Sequence, residues 1–479
     1  MKTTYDTKAK VLVTIGPASS SKPILREFFT MGVDVCRLNF SHGSHEDHRK
    51  VIQTIRELEV ELDTSVAILA DLQGPKIRIG KVAGNRVDLD EGQELTITTQ
   101  ACLGTAEKLY LSYEQFPADV AQGDHVLIDD GKIRLEVLET NRIDQVRLKV
   151  LNGGPLSSNK GVNLPQTKVS LPSLTEKDRE DAFFALEHGV DWIALSFVRK
   201  PEDIEVLRNL IHSQEKSTGI VAKIEKPEAL EHIQEIIDAS DAVMVARGDL
   251  GVELPFSQVP TVQKQIVQRC IESAKPVVIA TQMLESMIQN FRPTRAEAND
   301  VANAVTDGAD ALMLSGETSV GQYPLEAIRA MHEVIQFTES EAKSYHFKSL
   351  KKNVNRRISD ELCAAAKGIS NELDASAIVC FTSSGYTAYK IASHRPQAPI
   401  YVFTQNKRLL RRLNMVWGVR AFYHDFDAST STTQSMRKAL NRLQTEHFVK
   451  TDDLVIFLAS SPLQEKGKTN TIRVEKVGQ

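Results

Sequence analysis

The sequence has few cysteines and no long apolar run, and both absences narrow the class of protein. Its five cysteines are scattered through 479 residues and form no CxxC pair: Cys36, Cys102, Cys270, Cys363 and Cys380. Neither a disulfide framework nor a cysteine-based zinc site is indicated, and a reducing compartment fits best. No apolar segment approaches the ~20 residues that span a bilayer, and no apolar signal segment is present. We therefore expect a cytoplasmic protein without a membrane partner.

The sequence also has no excess of basic over acidic residues. The chain has 58 Lys and Arg against 63 Asp and Glu, which gives a formal net charge of −5. This balance argues against nucleic acid as a partner of the whole chain, although a local basic pocket can still hold a phosphate. The chain is 41% hydrophobic, and its length is sufficient for roughly three domains of a globular protein.

Short apolar runs rich in β-branched residues recur along the chain, and most are followed by a longer helical stretch. Strands of this kind alternating with helices are typical of a parallel sheet buried on both faces. The predicted strands cover residues 11–15, 33–40, 66–71, 192–197, 220–224, 242–246, 276–281 and 311–314. Eight such units predict a closed (β/α)8 barrel, in which the chemistry lies at the carboxyl ends of the strands.

Two other segments differ from the barrel region in their pattern of polar and apolar residues. Between the third and fourth predicted strands, polar and apolar residues alternate around Asp-Gly and Gly-Gly turns, which predicts antiparallel β structure. After about residue 344, helices and strands alternate again in a smaller unit. The sequence thus predicts an α/β protein with a TIM barrel (1–71 and 172–345), an inserted all-β lid domain (72–171) and a C-terminal α/β domain (346–479). Gly74-Pro75 and Leu171-Pro172 are predicted hinges of the lid, and residues 349–357 are the predicted linker to the C-terminal domain.

Charged side chains end two neighbouring barrel strands. Lys223 and Glu225 lie two residues apart, so strand alternation places both on the side that faces the barrel axis. Asp249 follows the next strand in the segment Arg-Gly-Asp-Leu-Gly. Two carboxylates at one rim suit Mg²⁺, with Mn²⁺ as an alternative. An internal ion pair explains Lys223 and Glu225 taken alone, and the arrival of Asp249 at the same rim favours the metal site.

Other strand ends carry polar groups that a buried strand would not normally have. Arg37, Asn39 and Ser41 alternate onto one face of the second strand, and inward polar positions are costly unless a ligand or ion satisfies them. Later candidates, in chain order, are Asp71, Lys76, Arg78, Thr281, Ser315 and Glu317. For Thr281 and Ser315, helix capping is an equally good interpretation.

These motifs occur in an order that resembles the pyruvate kinase family. The segments RLNFSHG, MVARGDLGVE, ATQMLESM, NFRPTRAEANDVANAV and LSGET carry the resemblance, which covers essentially the whole chain. It implies a Mg²⁺-dependent phosphotransferase that moves a phosphoryl group from phosphoenolpyruvate to ADP, giving pyruvate and ATP in glycolysis. It also implies a homo-oligomer, with a tetramer expected.

The resemblance implies a role for single residues. Lys223 corresponds to the lysine that stabilises charge on the transferring phosphoryl group, Arg37 to the arginine that engages this group, and Thr281 to a third catalytic residue. The implied substrate-binding residues are Arg37, Ser196, Gly248, Asp249, Thr281 and Ser315. The implied Mg²⁺ ligands are Glu225 and Asp249, and the implied ADP or ATP contacts are Thr14, Pro17, Asn39, His42, Arg78 and Lys160. Asp47 stands where animal relatives carry tyrosine near the nucleotide, which leaves the adenosine contacts open.

One departure from the family pattern concerns monovalent cations. Many members read DTKGPEIRTG and need K⁺, which they bind through counterparts of Asn39, Ser41 and Asp71 and the threonine that follows. This chain reads DLQGPKIRIG over residues 71–80. Leu72 removes a hydroxyl and Lys76 supplies a fixed ammonium, so we expect activity without K⁺.

A further candidate site lies in the C-terminal domain. Its residues join a predicted strand to a predicted helix: Thr382, Ser383, Ser384, Gly385 and Thr387. Hydroxyls and a glycine at a helix N-terminus form a phosphate cradle, although an ordinary capped helix is an equally good interpretation. The resemblance implies an allosteric phosphate site here, with AMP or a sugar phosphate as the effector.

Two other functions share some of these features. A Mg²⁺-dependent pyruvate aldolase or lyase on a related barrel also needs a lysine and carboxylates around an enolate. The long β lid and Lys160 favour a nucleotide-using kinase, although Lys160 alone fits an ordinary surface lysine. A non-catalytic sensor of phosphorylated metabolites would be expected to lose Lys223 or the carboxylate pair, and this sequence keeps both.

Overall fold

A computed structural model describes residues 3–165, 167–341, 350, 356–425, 431–461 and 469–479. Its strands in chain order are β1 Lys10–Ile15, β2 Val35–Asn39, β3 Ala67–Asp71, β4 Arg86–Leu89, β5 Glu94–Thr98, β6 Lys108–Tyr110, β7 His125–Ile128, β8 Ile133–Thr140, β9 Gln145–Asn152, β10 Gly154–Ser157, β11 Val162–Asn163, β12 Trp192–Leu195, β13 Gly219–Ile224, β14 Ala242–Ala246, β15 Val277–Ala280, β16 Ala311–Leu314, β17 Ala377–Phe381, β18 Ile400–Thr404, β19 Val419–Tyr423, β20 Leu454–Ala459 and β21 Thr471–Lys476.

The α-helices are α1 Lys22–Met31, α2 His45–Glu61, α3 Phe116–Asp119, α4 Glu176–Glu187, α5 Pro201–Ser213, α6 Glu228–Glu231, α7 Ile233–Ala239, α8 Arg247–Glu253, α9 Val259–Glu272, α10 Arg295–Asp307, α11 Gly316–Ser319, α12 Pro324–Glu341, α13 Arg357–Glu372, α14 Tyr386–Ser393, α15 Lys407–Arg412 and α16 Thr432–Thr445. Among the described residues, no helix combines the length and apolar character needed to cross a membrane.

Eight parallel strands close into a barrel in the order β1-β16-β15-β14-β13-β12-β3-β2. Most of their residues are apolar on both faces, because one face packs inside the barrel and the other packs against the surrounding helices. The predicted (β/α)8 barrel is therefore confirmed. The predicted strands are all present with small shifts at their ends; the second, predicted over 33–40, covers Val35–Asn39.

The β-rich insertion follows β3 and precedes α4. It contains a six-stranded sheet, β11-β7-β8-β9-β5-β6, and a two-stranded sheet, β10-β4. Its alternating strands bury one face in a separate apolar core that includes Ile97, Leu135 and Leu148. The insertion thus has its own core and stands beside the open mouth of the barrel as a lid.

The C-terminal unit is a five-stranded sheet in the order β19-β18-β17-β20-β21, with only β21 antiparallel to its neighbour. The sequence pattern predicts helices over 358–370, 388–393 and 435–443 and strands over 377–381, 400–403 and 454–458, and all six are present as α13, α14, α16, β17, β18 and β20. The structure adds β19, β21 and α15, which were not predicted. The predicted linker, residues 349–357, lies outside the described residues except for 350, 356 and 357.

The first predicted hinge of the lid is a tightly packed turn. Gly74 has φ +69°, and a side chain there would come within 2.6 Å of the Phe197 ring. Its N–H donates to Asp178 Oδ1 at 3.0 Å. At the other end, Arg199 donates to the carbonyl of Leu171 at 2.6 Å. Only glycine fits the first position, and both ends of the lid are attached to the barrel by side chains.

Candidate active site

A lysine and two carboxylates meet at the carboxyl ends of β3 and β13. The Lys223 Nζ lies 2.8 Å from Glu225 Oε1 and 3.2 Å from Asp71 Oδ1, and it donates to Ser196 Oγ at 2.7 Å. Burial would lower the pKa of Lys223, but the charges of Asp71 and Glu225 outweigh burial and raise this pKa. Lys223 is therefore a fixed cation inside the barrel mouth, on the same side of β13 as Glu225, as predicted.

Arg37 joins this group through the same buried carboxylate. Its Nε donates to Asp71 Oδ2 at 2.6 Å and its Nη1 donates to Thr14 Oγ1 at 2.9 Å. Burial would raise the pKa of Asp71, but Lys223 and Arg37 lower it below its usual range. Asp71 is thus ionised and holds two cations that reach the rim from β2 and β13.

Asp249 approaches the same charges from the next strand. Strand β14 ends at Ala246 and α8 begins at once, so Asp249 stands in the first turn of a short helix. Partial burial of its carboxyl group at the rim and the charge of Glu225 raise the pKa of Asp249 to about 6. Two carboxylates that repel each other, with hard oxygen donors, fit Mg²⁺. No group of three or more His, Cys, Asp or Glu side chains arranged as metal ligands occurs in the described residues.

Thr281 occupies a backbone conformation that β-branched residues rarely adopt. Its φ is +71°, and its Oγ1 accepts from the Gly248 N–H and donates to the Ala280 carbonyl, both at 2.6 Å. Arg247 donates to the Thr281 carbonyl at 2.8 Å. Thr281 does not cap a helix of its own segment; its hydroxyl instead links the end of β15 to an N–H in the first turn of α8. Backbone strain of this kind persists where the surroundings enforce it, often at functional sites.

Two serines complete the inner wall of the mouth. Ser196 Oγ donates to the Leu72 carbonyl at 2.7 Å while accepting from Lys223. Ser315 Oγ is buried and has no hydrogen-bond partner within the described part of the chain, and it makes no capping bond to α11. A buried hydroxyl without a partner is costly, which fits a group that a substrate would satisfy.

The residues implied for the nucleotide lie farther out, between the barrel and the lid. His42 is largely exposed, and the partial burial of its ring together with the positive charges of Lys76 and Arg78 lowers its pKa. Arg78 Nη1 donates to the Asn159 carbonyl at 2.9 Å, and Lys160 Nζ lies 2.7 Å from Asp129 Oδ1 within the lid.

Two of these implied residues sit apart from the others. Thr14 is buried, and its hydroxyl donates to the Leu314 carbonyl at 2.9 Å while accepting from Arg37. Pro17 is exposed in the loop after β1. The structure therefore gives Thr14 a contact with a catalytic candidate, Arg37, whereas Pro17 lies at the surface.

Lys76 reaches the group of oxygens that the sequence marks as a cation pocket. Its Nζ donates to Ser41 Oγ at 3.2 Å, and the Asn39 Oδ1 accepts from the Ser41 N–H at 3.1 Å. Burial and the positive charges of Arg78 and Lys223 lower the pKa of Lys76. The ammonium thus stands beside Ser41, whereas Asp71 at the same rim pairs with Arg37 and Lys223.

The side chain of Asp47, the position that left the adenosine contacts open, caps the N-terminus of helix α2. Its carboxylate accepts from the Ser44 N–H at 3.0 Å and from the Ser44 hydroxyl at 2.7 Å. The Ser44 hydroxyl in turn accepts from the Asp47 N–H at 3.2 Å. This is a capping box, and it occupies the carboxylate that replaces the tyrosine.

The candidate effector loop joins β17 to α14. Gly385 has φ +89° and its N–H donates to Thr382 Oγ1 at 2.9 Å. The Thr387 hydroxyl pairs with Thr469 Oγ1 at 2.7 Å in the interior. Ser383 and Ser384 lie toward the surface, so the loop offers their hydroxyls and the first backbone N–H groups of α14.

Sequence reasoning missed a second group of residues that connects the lid to the barrel. Glu253 Oε1 accepts from Asn163 Nδ2 in the lid at 2.9 Å and from Lys226 Nζ at 2.6 Å. Glu253 ends α8, which carries Asp249, and Lys226 follows Glu225 directly. The position of Lys226 next to a metal-ligand candidate was the only signal in the sequence.

Comparisons with known proteins agree with this geometry. Residues 6–328 match the family model of the pyruvate kinase barrel domain, and residues 360–475 match that of the pyruvate kinase alpha/beta domain. A pyruvate kinase of Mycobacterium tuberculosis (strain ATCC 25618 / H37Rv) is 43% identical over 98% of this chain and 99% of its own length. One from Geobacillus stearothermophilus is 43% identical over 98% of this chain and 80% of its own. The crystal structure of a Cryptosporidium parvum pyruvate kinase superposes with a TM-score of 0.92 at 36% identity, covering 98% and 96% of the two chains.

Proposed function

This chain belongs to the pyruvate kinase family, and on that premise we propose that it transfers the phosphoryl group of phosphoenolpyruvate to ADP with Lys223, Arg37 and Thr281 as its catalytic residues. The family resemblance seen in the motifs is confirmed, and the chain is a phosphotransferase. The observation that carries the proposal is the convergence of Lys223, Arg37 and Glu225 around Asp71 at one rim of the barrel.

Phosphoryl transfer needs positioning and charge neutralisation more than covalent chemistry. Lys223 and Arg37 place two fixed cations at the mouth, where they bind and orient the transferring group. Asp71 orients both cations from below, and Ser196 fixes the Lys223 ammonium at 2.7 Å. Glu225 and Asp249 would hold Mg²⁺, with Mn²⁺ as an alternative, and a metal bound there would supply positive charge against the phosphate and enolate oxygens.

The far side of the mouth receives the carboxylate end of the substrate. We assign this role to Thr281 and to the first turn of α8 at Gly248 and Asp249, with Ser315 Oγ as a further contact. The bond from the Gly248 N–H fixes the Thr281 hydroxyl next to this turn. We assign to Thr281 the further role of ordering the proton relay to the methylene carbon of enolpyruvate.

The nucleotide lies between the barrel and the lid in this proposal. Its contacts are Asn39, His42, Arg78 and Lys160, with Thr14 and Pro17 nearby. Closure of the lid brings Lys160 toward the phosphates in exchange for its pairing with Asp129.

We further propose that the enzyme works without K⁺. The supporting contact is Lys76 Nζ at 3.2 Å from Ser41 Oγ, which puts a fixed positive charge beside the oxygens of the Asn39, Ser41 and Asp71 pocket. Steady-state assays in tetramethylammonium, Na⁺ and K⁺ test this. Equal rates in the three salts support it, and a strict K⁺ requirement contradicts it.

Regulation, assembly and location complete the proposal. The loop of Thr382, Ser383, Ser384, Gly385 and Thr387 is an allosteric phosphate site for AMP or a sugar phosphate. The enzyme is a cytoplasmic homotetramer, divided into a barrel (1–71 and 172–345), a lid (72–171) and a regulatory domain (346–479). Titration with both effector classes, and light scattering for the mass, test the first two statements.

The central experiment is a coupled assay of pyruvate formation with the Lys223→Met variant. We expect pyruvate from phosphoenolpyruvate only when ADP and Mg²⁺ are present, and a loss of at least about 10²-fold in kcat for the variant. The matched control is Lys149→Met, which removes an exposed lysine from β9 of the lid. Pyruvate formation without ADP would favour the aldolase or lyase alternative, and substrate binding without turnover would favour a sensor.

A further inference from the structure

The loop between β2 and α2 is held by side chains from two helices. The loop carries Asn39 and His42, and two of its carbonyls accept bonds from outside it. The Phe40 carbonyl accepts from Lys177 Nζ at 3.1 Å, and the His42 carbonyl accepts from His48 Nε2 at 3.0 Å. Lys177 comes from α4 and His48 from α2, so the loop is fixed from two independent elements.

His48 is oriented by an aromatic stack. Its ring stacks on the Phe40 ring with the centroids 4.3 Å apart and an angle of 26° between the ring planes, and Phe40 meets Phe184 of α4 edge-on at 6.1 Å. His48 is buried, and burial lowers its pKa against the opposing effects of Asp181 and Asp47. The ring is therefore neutral at pH 7 and its Nε2 carries the hydrogen, because a carbonyl oxygen can only accept.

Lys177 is oriented by charge. Its Nζ lies 2.5 Å from Asp181 Oδ2, and the buried Asp181 also receives His45 Nε2 at Oδ1, 2.7 Å away. Asp181 therefore fixes Lys177 from one side and the first residue of α2 from the other. This arrangement resists movement of Phe40 away from α4.

The held segment is a short turn. The His42 N–H donates to the Asn39 carbonyl at 3.1 Å, which closes it. Gly43 follows with φ +78°, a conformation that glycine adopts without strain and that leaves the chain free to turn. Without the His48 bond, the His42 carbonyl loses its side-chain partner and the turn can populate other conformations.

We propose that His48 is a positioning residue of the nucleotide subsite, which holds His42 and Asn39 in the conformation that receives a nucleoside diphosphate. The inference rests on the proposed nucleotide role of those two residues. His48 touches neither substrate, and its effect reaches ADP through the backbone of His42. When only a fraction of the molecules has the loop in the competent conformation, the apparent affinity for the ligand is reduced to that fraction of its intrinsic value.

The test separates the hydrogen bond from the packing. His48→Phe keeps a flat ring against Phe40 and removes the donor, whereas His48→Gln keeps a donor. We expect His48→Phe to raise the KM for ADP about fivefold to tenfold, as expected for one lost hydrogen bond, with the KM for phosphoenolpyruvate and the Tm nearly unchanged. His48→Gln should recover part of the ADP affinity. The control is His188→Phe, in the same aromatic stack on Phe184 but without a bond to the loop.

The outcomes distinguish this inference from the function on which it rests. Asn39→Ala and His42→Ala test the subsite directly. If neither changes the KM for ADP, the nucleotide placement is wrong and the inference falls with it. If both raise this KM while His48→Phe does not, the subsite stands and the role of His48 is wrong. Equal increases in the KM of both substrates for His48→Phe would show a general structural effect and would also overturn the inference.

Discussion

Arg395 of the C-terminal domain donates to the carboxylate of Asp310 in the barrel at 2.9 Å, and both side chains are almost fully buried. Asp310 also accepts from the backbone N–H groups of Trp417 and Val277, each at 3.1 Å. Arg395 donates in addition to the Gly308 carbonyl at 2.7 Å. One carboxylate thus joins the C-terminal domain to the amino ends of β15 and β16, opposite the catalytic rim.

Removal of this cation should destabilise the protein strongly. Arg395→Met leaves Asp310 buried without its partner, a change that typically costs about 3–5 kcal/mol. Thermal and urea unfolding measure the loss. The control is Arg408→Met, because the Arg408 side chain meets Ser217 Oγ at 3.4 Å in an exposed contact and its loss should change the stability by no more than about 0.5 kcal/mol. Equal stability of the two variants would contradict the prediction.

A buried histidine gives the stability a pH dependence. His332 of α12 stacks on Tyr5 with the centroids 4.9 Å apart, and its Nδ1 lies 3.3 Å from Thr7 Oγ1. Burial, with a smaller effect of Lys10, lowers the pKa of His332 to about 3. The unfolded chain binds this proton near pH 6.5, so the stability that depends on neutral His332 is complete above pH 6.5 and falls as the pH drops toward 3.

The slope of stability against pH tests this. Below pH 6.5, His332 contributes a loss of up to about 1.4 kcal/mol per pH unit. We expect the Tm of His332→Phe to fall less between pH 6.5 and pH 5 than that of the unmodified protein, whatever its Tm at pH 7. His212→Phe, on the exposed side of α5, should retain the original slope. Parallel curves for the His332 variant and the unmodified protein would show that this ring does not titrate on unfolding.

The sequence predicted the barrel because its signal is local. Each barrel strand is a short apolar run, and the polar residues after it fall at one rim by the geometry of parallel strands, which is why the order of residues alone places Lys223, Glu225 and Asp249 together. The three elements that escaped prediction lack such a signal. Strand β21 is an edge strand with two exposed residues and no buried one. Strand β19 is the opposite edge strand and buries only two of its five residues. Helix α15 is six residues long and rich in basic side chains, too short for a helical period.

Contacts made by tertiary structure escaped prediction for a different reason. Nothing in the sequence around Thr281 indicates φ +71°, because the conformation is enforced by Arg247 and Gly248 in the first turn of α8. The hydrogen bond between Asn163 and Glu253 connects residues 90 positions apart in the sequence. Asparagine and glutamate are both residue types common at a protein surface, so neither indicates this contact. Pairing of this kind depends on how the lid sits on the barrel, which local pattern does not encode.

The joint between Asn163 and Glu253 predicts a variant with a loosened lid. Asn163→Ala removes the 2.9 Å bond from β11 to the buried Glu253, while Lys226 keeps the carboxylate paired. A hydrogen bond to a charged group is worth about 1.5–3 kcal/mol, so the lid should open more often. We expect severalfold faster cleavage of the lid by a low concentration of trypsin, and a lower kcat.

The control for the lid variant is another asparagine of the same domain. Asn152 donates to the Lys132 carbonyl at 2.6 Å within the lid, so Asn152→Ala removes a bond that does not reach the barrel. It should leave the kcat near that of the unmodified protein. If Asn152→Ala and Asn163→Ala accelerate cleavage equally, the lid is loosened from within and the joint to Glu253 does not hold it closed.

The bond between Thr281 and Gly248 predicts a catalytic effect that can be separated from strain. Thr281→Val preserves the β-branched shape at φ +71° and removes the hydroxyl, so backbone strain is the same in both proteins. The Gly248 N–H then loses its 2.6 Å acceptor. We expect the kcat to fall by at least about tenfold, the effect of about 1.4 kcal/mol in the barrier, with a small change in Tm. Thr281→Ser, which keeps Oγ, should retain most of the kcat; if Thr281→Val is as active as Thr281→Ser, the hydroxyl has no part in the reaction.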